Sequence, residues 1–220
     1  MSSYHAHIDI YCERTEPGLW SEPLNAVTNL AFVFAAWLCW KHYAHKGPDF
    51  DRSGAFLMIV VGLLGVGSGL FHTFATHWAM LADVIPIIVL IHAFLFFALR
   101  RFFGLNVWVS LGAVVAFFGL ATSVRVSVPV EVLNGSAGYI PPFAALTAMG
   151  AAMAIKKHPG ADYMLLSAAV FAVSLTFRTI DMKFCGAIPI GTHFLWHTFN
   201  GLSLYLAGRA YLQAWKPGAI

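Results

Sequence analysis

Hydrophobic and polar positions along this chain come in blocks. Apolar runs fall at 25–43, 54–74, 79–99, 107–124, 139–155, 163–177 and 193–212, with short polar connections between them. A run of about 20 residues with almost no charge is what a helix needs to cross the hydrocarbon core of a bilayer, whereas a soluble surface helix shows an apolar stripe on one side only. The pattern predicts an all-α, integral membrane bundle of seven transmembrane helices. Seven spans use roughly 140 residues, so residues 1–220 read as a single membrane domain preceded by a polar arm over residues 1–24. The run at 163–177 is short for a full crossing, which predicts a less tilted helix or a locally thinned bilayer. Pro141 and Pro142 open the fifth run, where proline is best tolerated; Pro86, inside the third, predicts a kink.

Composition sharpens this picture. The chain is 59% hydrophobic and 10% charged, and its mean hydropathy is +0.73, beyond what a soluble domain needs to fill a core. The net charge of +3 is small, and the basic residues lie scattered at the ends of the runs. That excludes a nucleic-acid surface, and no protein partner is implied. Lys41, Lys46, Arg52, Arg100, Arg101, Lys156, Lys157, Arg209 and Lys216 fall on one side of the expected bundle, and Arg14, Arg125, Arg178 and Lys183 on the other. The positive-inside tendency then puts the N-terminus and arm outside the cytoplasm and the C-terminus within it. The arm lacks the basic start and apolar centre of a signal peptide, so it is expected to stay on the mature protein.

This topology brings four residues to one depth. The second helix runs outward and ends at His72; the third starts outside with Asp83; the seventh starts outside with His193 and His197, which share a helix face at a spacing of four. Three imidazoles and an acid at one end of a bundle suggest a catalytic zinc with an open position. Asp83 reads either as the general base for hydrolysis or as a partner that fixes a histidine tautomer. Ser68, four residues and roughly 6 Å deeper than His72, is placed to donate to the oxyanion of a tetrahedral intermediate. Its other reading, shared with Gly62, Gly65, Gly67 and Gly69, is close helix packing. His92 lies about 900° of rotation from Asp83, on the opposite face, and reads as structural. His5, His7, His42, His45 and His158 read as solvated, and His77, in the turn between the second and third helices, stays open.

The arm carries Asp9, Glu13, Glu16 and Glu22. These are either solvated acids or hard oxygen ligands for a second cation such as calcium. Asn25, Thr28 and Asn29 share one face of the first helix and are expected to hydrogen-bond across helices. Cys12 and Cys185 both fall on the outer side, where an oxidising exterior permits a bridge; Cys39 lies inside the first helix.

Tyr11-Cys12-Glu13, Ser21-Glu22-Pro23-Leu24-Asn25 with Thr28-Asn29, Ser68 with His72, Asp83, and His193 with His197 occur in an order and spacing that resembles the alkaline ceramidase family. That family lies within the seven-helix membrane hydrolases that include the adiponectin-receptor-like proteins. The resemblance implies Zn2+ held by His72, His193 and His197, with Ser68 and Asp83 in the catalytic roles above. It further implies hydrolysis of the amide of ceramide, or of a related N-acyl lipid, to a long-chain base and a fatty acid. It implies Ca2+ through the Tyr11 carbonyl, Glu13 and Glu22, with Asp9 or Glu16 as substitutes, because Ile10 stands where an acid is expected and Thr15 where an amide is. It also supports the Cys12–Cys185 pair. A second reading is a lipid-sensing receptor whose zinc is structural, but the chain lacks a sizeable cytoplasmic domain or long loop to pass on a signal. A proton-linked transporter would want paired broken helices or an inverted repeat, and neither is evident.

Overall fold

The computed structural model describes residues 3–44 and 51–214; His45, Lys46 and Lys216 lie outside the described residues. Within them, α1 (Pro23–Thr28) and α2 (Leu30–Ala44) form one rod interrupted only at Asn29. It is followed by α3 (Arg52–Phe74), α4 (His77–Phe103), α5 (Val107–Ser127), α6 (Ile140–Ile155), α7 (Ala161–Phe184) and α8 (His193–Gln213). These seven rods match the seven apolar runs. Pro23 opens α1 and prolines open α6, where the missing amide would have had no helical acceptor.

Six of the rods are long and apolar enough to cross a membrane, and the chain is an integral membrane protein. The exception is α8, which carries two histidines, Asn200 and Arg209. It packs against α7, α2, α3 and α1, so protein rather than lipid surrounds much of it and the demand for apolar side chains relaxes. A Cβ added at Gly201 would sit 2.8 Å from the Ala31 Cβ, and one at Gly208 2.8 Å from the Cys39 sulfur. Those bare positions let α8 lie directly on α2.

Two expectations need correcting. The sixth rod, α7, is not short: it runs 24 residues to Phe184. Its last two turns carry Arg178, Thr179, Asp181 and Lys183, which hide the helix from a reading based on hydropathy. His158 is not simply solvated either. It is half-buried, accepts the Gly160 amide at 3.1 Å through Nδ1 and sets its ring edge-on to Phe102. His5, His7, His42 and His77 are exposed. His92 donates from Nδ1 to the Ile88 carbonyl at 2.7 Å and packs on Phe117 and Phe118, a structural role.

The end of the bundle remote from the histidines is closed by Asp51. Its carboxylate caps α3 by accepting the Gly54 amide at 2.9 Å, and it meets the Arg101 guanidinium of α4 through both oxygens at 2.6 and 2.7 Å. That guanidinium also lies 3.7 Å over the Tyr211 ring of α8. At the other end, the arm is tacked to the α3–α4 turn by an isolated bridge between His7 and Thr76.

Candidate metal centre

His72 occupies the last turn of α3, just before Ala75 ends that helix in a left-handed conformation. His193 and His197 occupy the first two turns of α8. The two helices meet at one end of the bundle, with ring centroids 5.2 Å apart for His72 and His193, 4.6 Å for His72 and His197, and 4.7 Å for His193 and His197. One potential ligand nitrogen from each ring lies within 4.8 Å of the others, and all three residues are at least 98% buried.

Two of the rings are oriented from outside. His72 Nδ1 lies 2.5 Å from Glu22 Oε2, so the carboxylate accepts the Nδ1 proton and Nε2 keeps its lone pair. His197 Nδ1 lies 3.1 Å from Thr28 Oγ1. The threonine hydroxyl has one proton, and the Leu24 carbonyl at 2.7 Å takes it, so its oxygen accepts from His197 and again frees Nε2. His193 differs: its Nδ1 is buried without a hydrogen-bond partner among the described residues. Buried imidazoles with fixed tautomers and one orphaned nitrogen suit a borderline-soft dication such as zinc, and the residues fit that group.

Asp83 enters from α4, and its placement follows from a local sequence device. Pro86 has no amide proton, so the Ala82 carbonyl four residues earlier loses its helical donor; α4 nevertheless continues without interruption. That carbonyl points at Gly67 of α3, where an added Cβ would fall 2.0 Å from the Ala82 oxygen and 3.3 Å from the Asp83 nitrogen. Gly67 therefore allows the two backbones to touch and brings Asp83 beside Ser68 and His72, both of which act electrostatically on its carboxylate. Ser68 is buried, while Asp83 is half-buried with Oδ1 unpartnered among the described residues. Gly65 packs closely against α2, but nothing crowds Gly62 or Gly69.

The arm is arranged differently from the calcium expectation. Glu13 spends both oxygens on helix capping, accepting the Leu24 amide at 2.7 Å and the Asn25 amide at 2.8 Å. Burial raises its carboxyl above the ordinary value, against the pull of the Asn25 and Leu24 amides. Glu22 is buried and spends its oxygens on His72, on Arg14 Nε at 2.6 Å and on Asn25 Nδ2 at 3.1 Å. Burial opposes its ionisation, but the hydrogen bonds from His72, Arg14 and Asn25 outweigh it and leave the carboxyl below its ordinary value. Asp9 and Glu16 are exposed. With the Glu13 and Glu22 carboxylates engaged and a guanidinium beside Glu22, these residues do not fit calcium. Tyr11 lies in the arm as well, but it is the ring that meets the site, stacked on His193 at 3.7 Å and tilted on His72 at 5.1 Å. Burial pushes its hydroxyl up, so it stays a neutral phenol.

Cys12 and Cys185 are joined by a disulfide, with Cα atoms 5.2 Å apart. Beside it lies Asp181, fully buried, which sequence reasoning missed. Its Oδ1 accepts the Thr192 and His193 amides at 2.6 and 3.0 Å, and its Oδ2 the Cys12 amide at 3.1 Å. It caps α8 at the residue that bears the first histidine. Gly191, at φ +64°, makes room for it: a Cβ there would fall 2.2 Å from Asp181 Oδ1. A carboxylate at the end of an apolar helix was the available signal. Arg14, whose role emerges only with the arm folded, offered none.

No curated protein matches the chain. A family model described as Ceramidase does, over residues 10–217. The match takes in the arm from Ile10, every helix and all three histidines, and the chain accordingly belongs to the ceramidase family.

Proposed function

We propose that this chain is an intramembrane, zinc-dependent amidase that hydrolyses ceramide or a related N-acyl lipid to a long-chain base and a fatty acid. The observation that carries the reading is the meeting of His72, His193 and His197 beside an acid with an unpartnered oxygen, at the end of an apolar bundle. Those three rings would hold the zinc, which when bound supplies a Lewis acid with a position left open. Glu22 and Thr28 keep His72 and His197 in the tautomer that presents Nε2.

Asp83 Oδ1 accepts a proton from the attacking water as the new C–O bond forms, and returns it to the amide nitrogen as the C–N bond breaks. The products are then a carboxylic acid and an amine. Ser68 donates a hydrogen bond from its hydroxyl to the carbonyl oxygen, where negative charge develops, and keeps its proton. The helices leave apolar side chains such as Ile59, Leu63 and Val66 facing outward. A two-chain lipid can therefore keep its tails in hydrocarbon while only its amide reaches the polar end.

The disulfide supports an extracytoplasmic site, since such bridges persist in oxidising compartments. The charge bias supports the same orientation, with the C-terminus cytoplasmic. The test is to offer a mixed panel of N-acyl lipids to purified wild type, His197→Ala and Asp83→Ala, and to read products by mass spectrometry and bound metal by elemental analysis. Wild type should contain about one zinc per chain, as a single three-histidine site requires, and release fatty acid from ceramide. Undiminished release by either variant would refute the mechanism.

A further inference from the structure

We propose that Arg14 is a built-in cation of the arm, a positioning residue that holds Glu22 against His72 and leaves the protein with no use for calcium. For its effect on the metal centre the inference rests on the three-histidine reading above.

The Arg14 side chain is buried and its guanidinium is ringed by oxygens. Nε donates to Glu22 Oε1 at 2.6 Å, Nη1 to the carbonyls of Gly18 and Glu16 at 3.1 and 3.4 Å, and Nη2 to the carbonyl of His72 at 3.3 Å. One carboxylate and three carbonyls are the donor set a hard cation takes, and here a guanidinium takes it. Its single positive charge balances the single negative charge of Glu22. A calcium ion added there would meet a fixed positive charge, with Glu22 already paired to it and both Glu13 oxygens capping α1.

The same contacts tie three parts of the site together. Arg14 grips the arm's own turn through Glu16 and Gly18, the backbone of His72 through its carbonyl, and the ring of His72 through Glu22. The guanidinium directs one Glu22 oxygen, which leaves the other aimed at His72 Nδ1. A planar fork does this in a way that a spherical ion, free to exchange with solvent, does not.

The experiment uses no substrate. Purified wild type, freed of calcium with a chelator, is titrated with calcium by calorimetry, and its unfolding midpoint is recorded with calcium in excess or removed. No saturable heat and an unchanged midpoint are expected; binding heat together with a midpoint that climbs with calcium, as mass action requires of any ligand of the folded state, overturns the proposal. In parallel, wild type, Arg14→Lys and Arg14→Gln are loaded with cobalt(II), and the metal is withdrawn with a competing chelator while the ligand-field spectrum is followed. Arg14→Gln should bind cobalt roughly tenfold or more weakly, the usual effect of removing a group that orients a ligand, with part of that loss recovered in Arg14→Lys. Cobalt affinity and spectrum unchanged in Arg14→Gln would end the positioning role, and should that variant not fold, the wild-type calcium titration and Arg14→Lys still decide. A wild type that binds cobalt, ignores calcium and hydrolyses nothing would sink the enzymatic reading alone.

Discussion

The phenol ring of Tyr11 lies on the imidazole of His193, with centroids 3.7 Å apart and planes 26° from parallel. His193 is the one histidine of the three whose Nδ1 has no polar partner among the described residues, so this stacking and the capped start of α8 orient it. Tyr11→Phe keeps the ring and should leave metal affinity near wild type. Tyr11→Ala removes it and should weaken metal binding, measured by chelator competition, by roughly an aromatic contact of 0.5–1.5 kcal/mol or more. Equal losses in the two variants would shift the role from ring to hydroxyl.

Gly67 is where α3 and α4 touch. With an added Cβ 2.0 Å from the Ala82 backbone oxygen, Gly67→Ala cannot be absorbed by a side-chain rotation. The helices must part, and Asp83 moves away from Ser68 and His72 with its backbone. The expected outcome is a stability loss of about 1–3 kcal/mol, typical of overpacking, together with a fall in kcat much larger than any change in metal content. Gly62→Ala is the control, since nothing lies near its added Cβ; it should behave as wild type in unfolding midpoint and turnover.

The disulfide closes a separation of 173 residues and sits one hydrogen bond from Asp181, through the Cys12 amide. Asp181 in turn holds the amides that begin α8. Cys185→Ser should therefore lower the unfolding free energy by an amount on the order of 2–4 kcal/mol, with a matching fall in the unfolding midpoint, and weaken metal binding as well. Reduction of wild type with a thiol should produce the same shift, and none in the variant. Wild type and variant unfolding alike under both conditions would mean that the bridge fixes neither the arm nor α8.

Much of this architecture is legible in the sequence because membranes impose it. Runs of apolar residues set the rods, and the spacing of four between His193 and His197 is enough to put both on one helix face. The depth of His72 follows from counting crossings. What the sequence does not reveal is how the rings are held. Glu22 reads as an acid of a polar arm, yet it lies buried against His72, 50 positions away along the chain, and Arg14 reaches the His72 carbonyl across 58. Such contacts depend on the fold of a segment with neither helical nor strand periodicity. Asp181 is hidden for another reason: polar residues late in α7 lower its hydropathy, so the helix reads as finished at Phe177 by composition and the carboxylate reads as part of a loop. Pro86 and Gly67 are visible separately, but only contact between the helices joins the freed carbonyl to the bare Cα.

The remote end of the bundle gives a pH signature distinct from the site. Burial opposes ionisation of Asp51, but the Arg101 guanidinium, the Gly54 amide and the Ser53 hydroxyl outweigh it and hold the carboxyl below its ordinary value. A carboxyl whose folded pKa is depressed contributes stability that is fully present above its unfolded pKa of about 4, and that contribution is lost as pH falls through the lower folded value. Wild type should accordingly lose stability below about pH 4 more steeply than Asp51→Asn. At neutral pH the variant should be the weaker of the two, because Arg101 keeps its charge in a buried setting without its counter-ion. The unfolding midpoints of the two proteins, followed in detergent from neutral to acid, should converge as pH drops; curves that stay parallel down to the acid limit would mean that the Asp51–Arg101 pair contributes nothing to holding α3 and α4 together.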